Sequence, residues 1–187
     1  MRPRFGTSRH LAPLTAALLV AGLLSGCGAD NPKPPPLPTP TNTATAPTEP
    51  ALPDAAKGTT KAAAVEFVKY YVAQLSYATS TGKTEGLAKL GADGCKSCTA
   101  LVDRITSIYS AGGHAQGEGY SISTSSSRRQ GAAVVVDGEL VNLPQRVWMS
   151  EKSAPQDSPE SNVLVSFVLA RKGESWQIEQ WTRVGNA

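Results

Sequence analysis

Cys95-Lys96-Ser97-Cys98 is the segment of this 187-residue chain whose residue types and spacing most directly spell chemistry. Two cysteines separated by two residues at the start of a helix are the arrangement of thiol oxidoreductases, in which the positive helix N-terminus stabilises the first thiolate. Here the pair lies between two helical stretches, whereas the redox motif belongs after the first strand of a parallel βαβ unit. The position favours a structural disulfide over a redox pair, and closing even so small a loop restricts the unfolded chain by roughly 2 kcal/mol. Zinc is disfavoured. Two cysteines and the one histidine beyond the N-terminal segment, His114, leave its tetrahedral shell incomplete, and no metal or other cofactor is expected.

The remaining candidates are weaker. Ser80-Thr81-Gly82-Lys83 has the Ser-x-x-Lys spacing of penicillin-interacting enzymes, yet the companion motifs and the length of such a domain are missing. Gly82-Lys83-Thr84 matches the end of a phosphate-binding loop, but Tyr77 stands where the first glycine belongs and a helix precedes it instead of a strand. His114, in the loop Ala111-Gly112-Gly113-His114, reads either as a general base in a pocket or as an exposed loop residue. Asp103, Tyr70 and Tyr71 are the acids available to an isomerase-like site, and a helix surface and core packing account for them equally well. No catalytic set emerges, so the expectation is a protein that is not an enzyme.

Cys27 carries a different chemistry. It closes Leu24-Ser25-Gly26-Cys27, preceded by the apolar run from Leu11 to Leu24 and by Arg2, Arg4 and Arg9. A basic start, a short apolar core and small residues before a cleavage point make a secretory signal. The four residues resemble the bacterial lipobox, which implies that the Cys27 thiol receives a diacylglycerol, that cleavage precedes it, and that the mature chain begins at an acylated (palmitate-type) cysteine. The alternative, an uncleaved membrane helix, is disfavoured because about fourteen apolar residues interrupted by Pro13 fall short of the roughly twenty needed. The expected location is the extracytoplasmic face of the cell membrane, held by lipid.

Removing residues 1–26 takes away three of the 18 basic residues and none of the 15 acidic ones, leaving a neutral chain. With no basic run longer than a pair, such as Arg128-Arg129, nucleic-acid partners are excluded. Outside the cytoplasm the two cysteines beyond Cys27 are expected to be oxidised, Cys95 to Cys98. Residues 27–58 then hold nine of the fourteen prolines, with Thr, Ala and Asn between them and few large apolar residues. Such a segment buries too little to offset the entropy of ordering, and it reads as a disordered linker reaching up to roughly 90 Å in polyproline geometry. Thr39-Pro40-Thr41 and Pro47-Thr48 are candidate positions for O-linked sugar, although an unmodified tether is the preferred reading.

Residues 59–187 form one domain by length, helical first and stranded afterwards. Ala64, Val68, Tyr71, Leu75 and Ala78 recur at helical spacing, joined by Phe67 and Val72, and predict a long helix over 60–79 that ends at Ser80-Thr81-Gly82. A short helix over 84–90 follows. A third places Cys98, Leu101, Val102, Ile105 and Ile108 on one face before Gly112-Gly113. Val-, Ile- and Trp-rich segments at 120–126, 132–141, 146–150, 163–171 and 175–183, separated by turns, predict successive strands. The fold class is α+β: helices packed on one curved antiparallel sheet. The acidic, Pro- and Ser-containing stretch 151–161 reads as a mobile loop.

This order of elements resembles the cone-shaped fold of nuclear transport factor two and its ketosteroid isomerase and polyketide cyclase relatives. More closely, Phe67-Val68-Lys69-Tyr70-Tyr71, Tyr77-Ala78 with Gly82, the Cys95/Cys98 pair, Ile108-Tyr109 with Gly112-Gly113, and Trp176 look like an uncharacterised family of actinobacterial lipoproteins. That resemblance implies a domain shape and the paired cysteines, and it brings no substrate, cofactor or catalytic residue.

In the last strand, alternation puts Trp176, Ile178 and Val184 on the apolar face and Trp181 opposite, with Gln177, Glu179 and Arg183. Trp148 likewise shares a face with Arg146. Trp148, Trp181, Arg146 and Arg183 are therefore a candidate interaction surface, since Trp and Arg are enriched at interfaces, while a sheet covered on both faces would make both tryptophans ordinary core. The functional expectation is a membrane-anchored, non-catalytic binding or assembly module of the cell envelope. Its expected partners are the membrane through diacylglyceryl Cys27, an envelope protein or wall component, and a second copy in a homodimer. The alternatives are a small-molecule-binding or isomerase-like protein using the cone cavity and, less favoured, an exported thiol oxidoreductase.

Overall fold

The computed structural model describes residues 47–185; Cys27, the signal segment and most of the linker lie outside them. After a single 3-10 turn at Asp54–Ala56 come α1 (Lys61–Thr81), α2 (Glu85–Ala88) and α3 (Lys96–Ser110). Seven strands follow: β1 (His114–Gly117), β2 (Tyr120–Gln130), β3 (Ala133–Asn142), β4 (Gln145–Trp148), β5 (Gln156–Ser158), β6 (Ser161–Lys172) and β7 (Ser175–Arg183). The α+β order read from the sequence is present.

α1 starts where Thr60 caps it, its Oγ1 accepting from the Ala63 amide at 3.1 Å. It stops at Gly82, whose φ of +75° is the left-handed conformation that lets its amide reach back to the Ala78 carbonyl. Between these ends the predicted stripe, from Ala64 to Ala78, is buried throughout. It packs on the inner face of a four-stranded antiparallel sheet in the order β2-β3-β6-β7, against Val134, Val136, Val165, Phe167, Leu169 and Ile178. The Tyr71 and Phe167 rings meet edge to face with centroids 6.0 Å apart.

The sheet is two sheets. β1, β4 and β5 form a separate antiparallel one in the order β1-β4-β5. This corrects the single sheet expected, and two further expectations change with it. His114 opens a strand instead of sitting in a loop, and part of 151–161 is strand β5, pairing Gln156, Asp157 and Ser158 with β4. The linker boundary also moves. Residues 47–58 are seated on the domain: Ala56 is buried, the Pro50 carbonyl accepts from Gln74 Nε2 at 2.9 Å, and the Gly58 carbonyl accepts from Trp176 Nε1 at 2.8 Å. Gln74, 1% exposed in the middle of α1, has its amide satisfied by this carbonyl and by the Tyr70 hydroxyl.

β7 is an edge strand whose exposed side is partly blunted. Ile178 exchanges backbone hydrogen bonds with Leu90 and Ala92 of the α2–α3 connection, which occupies groups that would otherwise template another chain. β7 also carries a bulge, for Gln180 pairs with Val168 and Ile178 with Leu169, leaving Glu179 without a partner. The extra residue inverts the alternation. Trp181 therefore lands on the same face as Ile178, opposite Phe167 with ring centroids 6.2 Å apart, and packs against the core. The expectation that Trp181 faces away from Trp176 and Ile178 is corrected, as is the inward placement of Val184, which is exposed.

Candidate functional site

Burial decides the chemistry of the disulfide. Cys95 caps α3, its Sγ accepting from the Cys98 amide, and the two are bridged with Cα atoms 5.3 Å apart. Both residues are buried in the main core. A Cβ at Gly91 would come within 2.8 Å of Cys98 Cβ, so glycine there lets the α2–α3 connection close over the bridge. A thiol exchange partner needs access to sulfur, and this packing withholds it.

Of the proposed tryptophan surface, only part stays together. Arg146 and Trp148 lie on the outer face of the small sheet, where Arg146 pairs with Asp157 at 2.7 Å and Trp148 stacks on His114 with centroids 4.4 Å apart and 9° between planes. Trp181 and Arg183 belong to the other sheet, Trp181 packed on the core and Arg183 exposed at the end of its strand. The four do not form one face of one sheet. His114 is half-buried against Trp148 and lines none of the cleft described below; its strand neighbour Ala115 does. Asp103 is exposed on α3. Tyr71 is buried with its hydroxyl unpartnered among the described residues, and burial pushes that hydroxyl far up its scale, so it stays protonated. Among the described residues no group of His, Cys, Asp and Glu is placed to hold a metal.

What the sequence did not single out is a cleft of about 350 Å³ between α3 and the small sheet. α3 packs chiefly on β7 and α2, and only Cys98 and Ile105 of its apolar stripe are buried. Leu101, Ile108 and Tyr109 stay half-open and form one wall, faced by Val147 and Met149. The polar lining is a connected chain: Gln145 Nε2 donates to the Gly119 carbonyl and to Asn142 Oδ1, and Asn142 Nδ2 donates to Ser158 Oγ at 3.0 Å. Tyr109 donates its hydroxyl to the Thr79 carbonyl at 2.8 Å, and burial raises its pKa.

Four titratable side chains line this cleft: Arg104, Tyr109, Tyr120 and Asp157. Asp157 is engaged by Arg146 and Tyr109 by a backbone carbonyl, so the groups best placed to move a proton are already committed. Apolar walls with a few fixed polar groups suit holding a small molecule, and the volume falls at the lower end of ordinary ligand sites, roughly 300–1,000 Å³. The signal that could have found it is the stripe Leu101-Ile105-Ile108 interrupted by Arg104, an apolar face with a charge inside it.

No curated protein matches the chain. Among solved structures, the intermembrane space region of the chloroplast protein ARC6 is similar over 68% of this chain and 98% of its own, at 13% identity and a TM-score of 0.52. That likeness concerns the fold alone. An NTF2-like protein with a cystatin-like fold from Novosphingobium aromaticivorans (11% identity, 64% of this chain and 79% of its own, TM-score 0.40) also matches. So does an NTF2-like protein from Anabaena variabilis (8%, 66% and 89%, TM-score 0.36). Both of these are named NTF2-like, and at such scores nothing rests on the likeness. The family model that matches is of unknown function and spans residues 38–182, across the helices and strands described above, and the chain belongs to that family, DUF6318.

Proposed function

We propose that this chain is a lipid-anchored, extracytoplasmic binding module of the cell envelope, which holds a small ligand in the cleft beneath α3 and does no chemistry on it. The observation that carries the reading is the cleft itself: half-open apolar side chains of α3 facing a polar lining in which Gln145, Asn142 and Ser158 are already hydrogen-bonded to one another or to backbone. Attachment in this reading comes through diacylglyceryl Cys27; among the described residues no helix is long and apolar enough to cross a membrane. The stacked His114–Trp148 pair beside Arg146 favours a second contact, with an envelope protein or wall component, on the opposite face of the small sheet.

Native mass spectrometry of the protein extracted from membranes tests the cleft. A small-molecule adduct is expected on the wild type and absent from Ile108→Gln, which sets a polar group in the apolar wall. An adduct unaffected by that change would place binding elsewhere. Fractionation tests the anchor: Cys27→Ala should remove the acyl mass and lower membrane retention, and unchanged lipid mass would defeat it.

A further inference from the structure

Resting on that reading of the cleft, we infer that its ligand is an amphipathic anion, a medium-length apolar body carrying one carboxylate or phosphate head. The apolar body follows from the wall. Leu101, Ile105 and Ile108 sit one helical turn apart along α3, and seven residues at ~1.5 Å each give an apolar track of roughly 10 Å. Val147 and Met149 face it, so a chain or ring lying along α3 loses water on two sides.

The charge follows from Arg104. It lies within the same track and lines the cleft, and among the described residues its guanidinium makes no ion pair. The one carboxylate lining the cleft, Asp157, is held instead by Arg146. Asp103, the adjacent acid on α3, is absent from the lining, whereas Arg104, exposed like it, stands at the open rim of the cleft. The cleft is therefore left with one uncommitted cation whose planar fork suits a carboxylate or phosphate. A purely apolar ligand would leave that cation unanswered, and a cationic one would be repelled by Arg104.

The test uses the full lipidated chain in phosphatidylcholine nanodiscs, titrated calorimetrically with octanoate, octyl phosphate, octanol and octylamine, with empty discs subtracted. Both anions should bind, with octanol at least about tenfold weaker and octylamine giving no protein-dependent heat. Arg104→Gln should bring octanoate down to the octanol level, and Arg104→Lys should retain part of the difference because it keeps charge without the fork. Octyl phosphate binding tighter than octanoate points to a phosphate-bearing lipid as the source, and the reverse order to a free acid; either supports the inference. Equal binding of octanoate, octanol and octylamine, lost in Ile108→Gln, would overturn the anion assignment and leave the cleft as an apolar binding site. No binding by any of the four to a protein whose circular dichroism and thermal transition are intact would overturn both readings.

Discussion

The two helices that flank this fold treat their sheets differently. α1 presses its whole apolar stripe onto the four-stranded sheet, where Phe67, Val68, Tyr71, Phe167 and Ile178 are all buried. α3 is tied down at its N-terminal end by the disulfide and by β7, while its C-terminal half stands off the three-stranded sheet. One half closes and the other half leaves room. Residues of the closed half answer to stability, and those of the open half are free to answer to a ligand.

That contrast can be broken at graded sizes. Phe167→Ala should be the most damaging change, about 3–5 kcal/mol, because it empties a site shared by Tyr71 and Trp181; chemical denaturation reads it. A loss under about 1 kcal/mol would mean the closed half can collapse around the hole. Replacing Cys95 and Cys98 together by serine should cost roughly 2 kcal/mol, since a buried bridge closing a small loop is lost. Reduction without any shift in the thermal transition would contradict that role.

The next effect depends on pH. Asp137 on β3 is drawn up by burial, but donors from Ser166, Ser126 and Arg128 outweigh this and hold its carboxyl below the usual value of 3.8. A depressed folded pKa stabilises the fold above the unfolded pKa and loses that contribution as pH falls through the folded value. Asp137→Asn should thus lower stability by about 1 kcal/mol at pH 7, with the gap to wild type closing below about pH 4. A gap constant down to pH 2 would assign the loss to packing. Smallest of all, Ile108→Ala in the open wall should cost about 1 kcal/mol or less, because its side chain is already half in water. A loss as large as that of Phe167→Ala would erase the distinction between the halves.

Much of the closed half was legible in the sequence because its periods are unbroken: the α1 stripe reads directly at helical spacing and ends at Gly82. The open half was legible only in α3 and β4. β5 is three polar residues whose only strand signal is their pairing with β4, and β1 is four residues between glycines. Trp181 was misplaced for a sharper reason, since the Glu179 bulge inverts a period-two pattern and nothing local announces it. The end of the linker was misread because what seats it, Gln74 and Trp176, lies 24 and 118 residues away. The cleft escaped for a related reason: Arg104 is one helix charge among several until the small sheet is set opposite it.

The seating of residues 47–58 also has a mechanical meaning. A pull on the N-terminal side meets the Gln74 bond to Pro50 first and the Trp176 bond to Gly58 next, one after the other and before the backbone is pulled out of α1 at Lys61. Elements loaded in series open like a zip, each at low force. Peeling this strap would release 12 residues, roughly 40–43 Å of extended chain, so the domain carries its own shock absorber against a load applied from its N-terminal side.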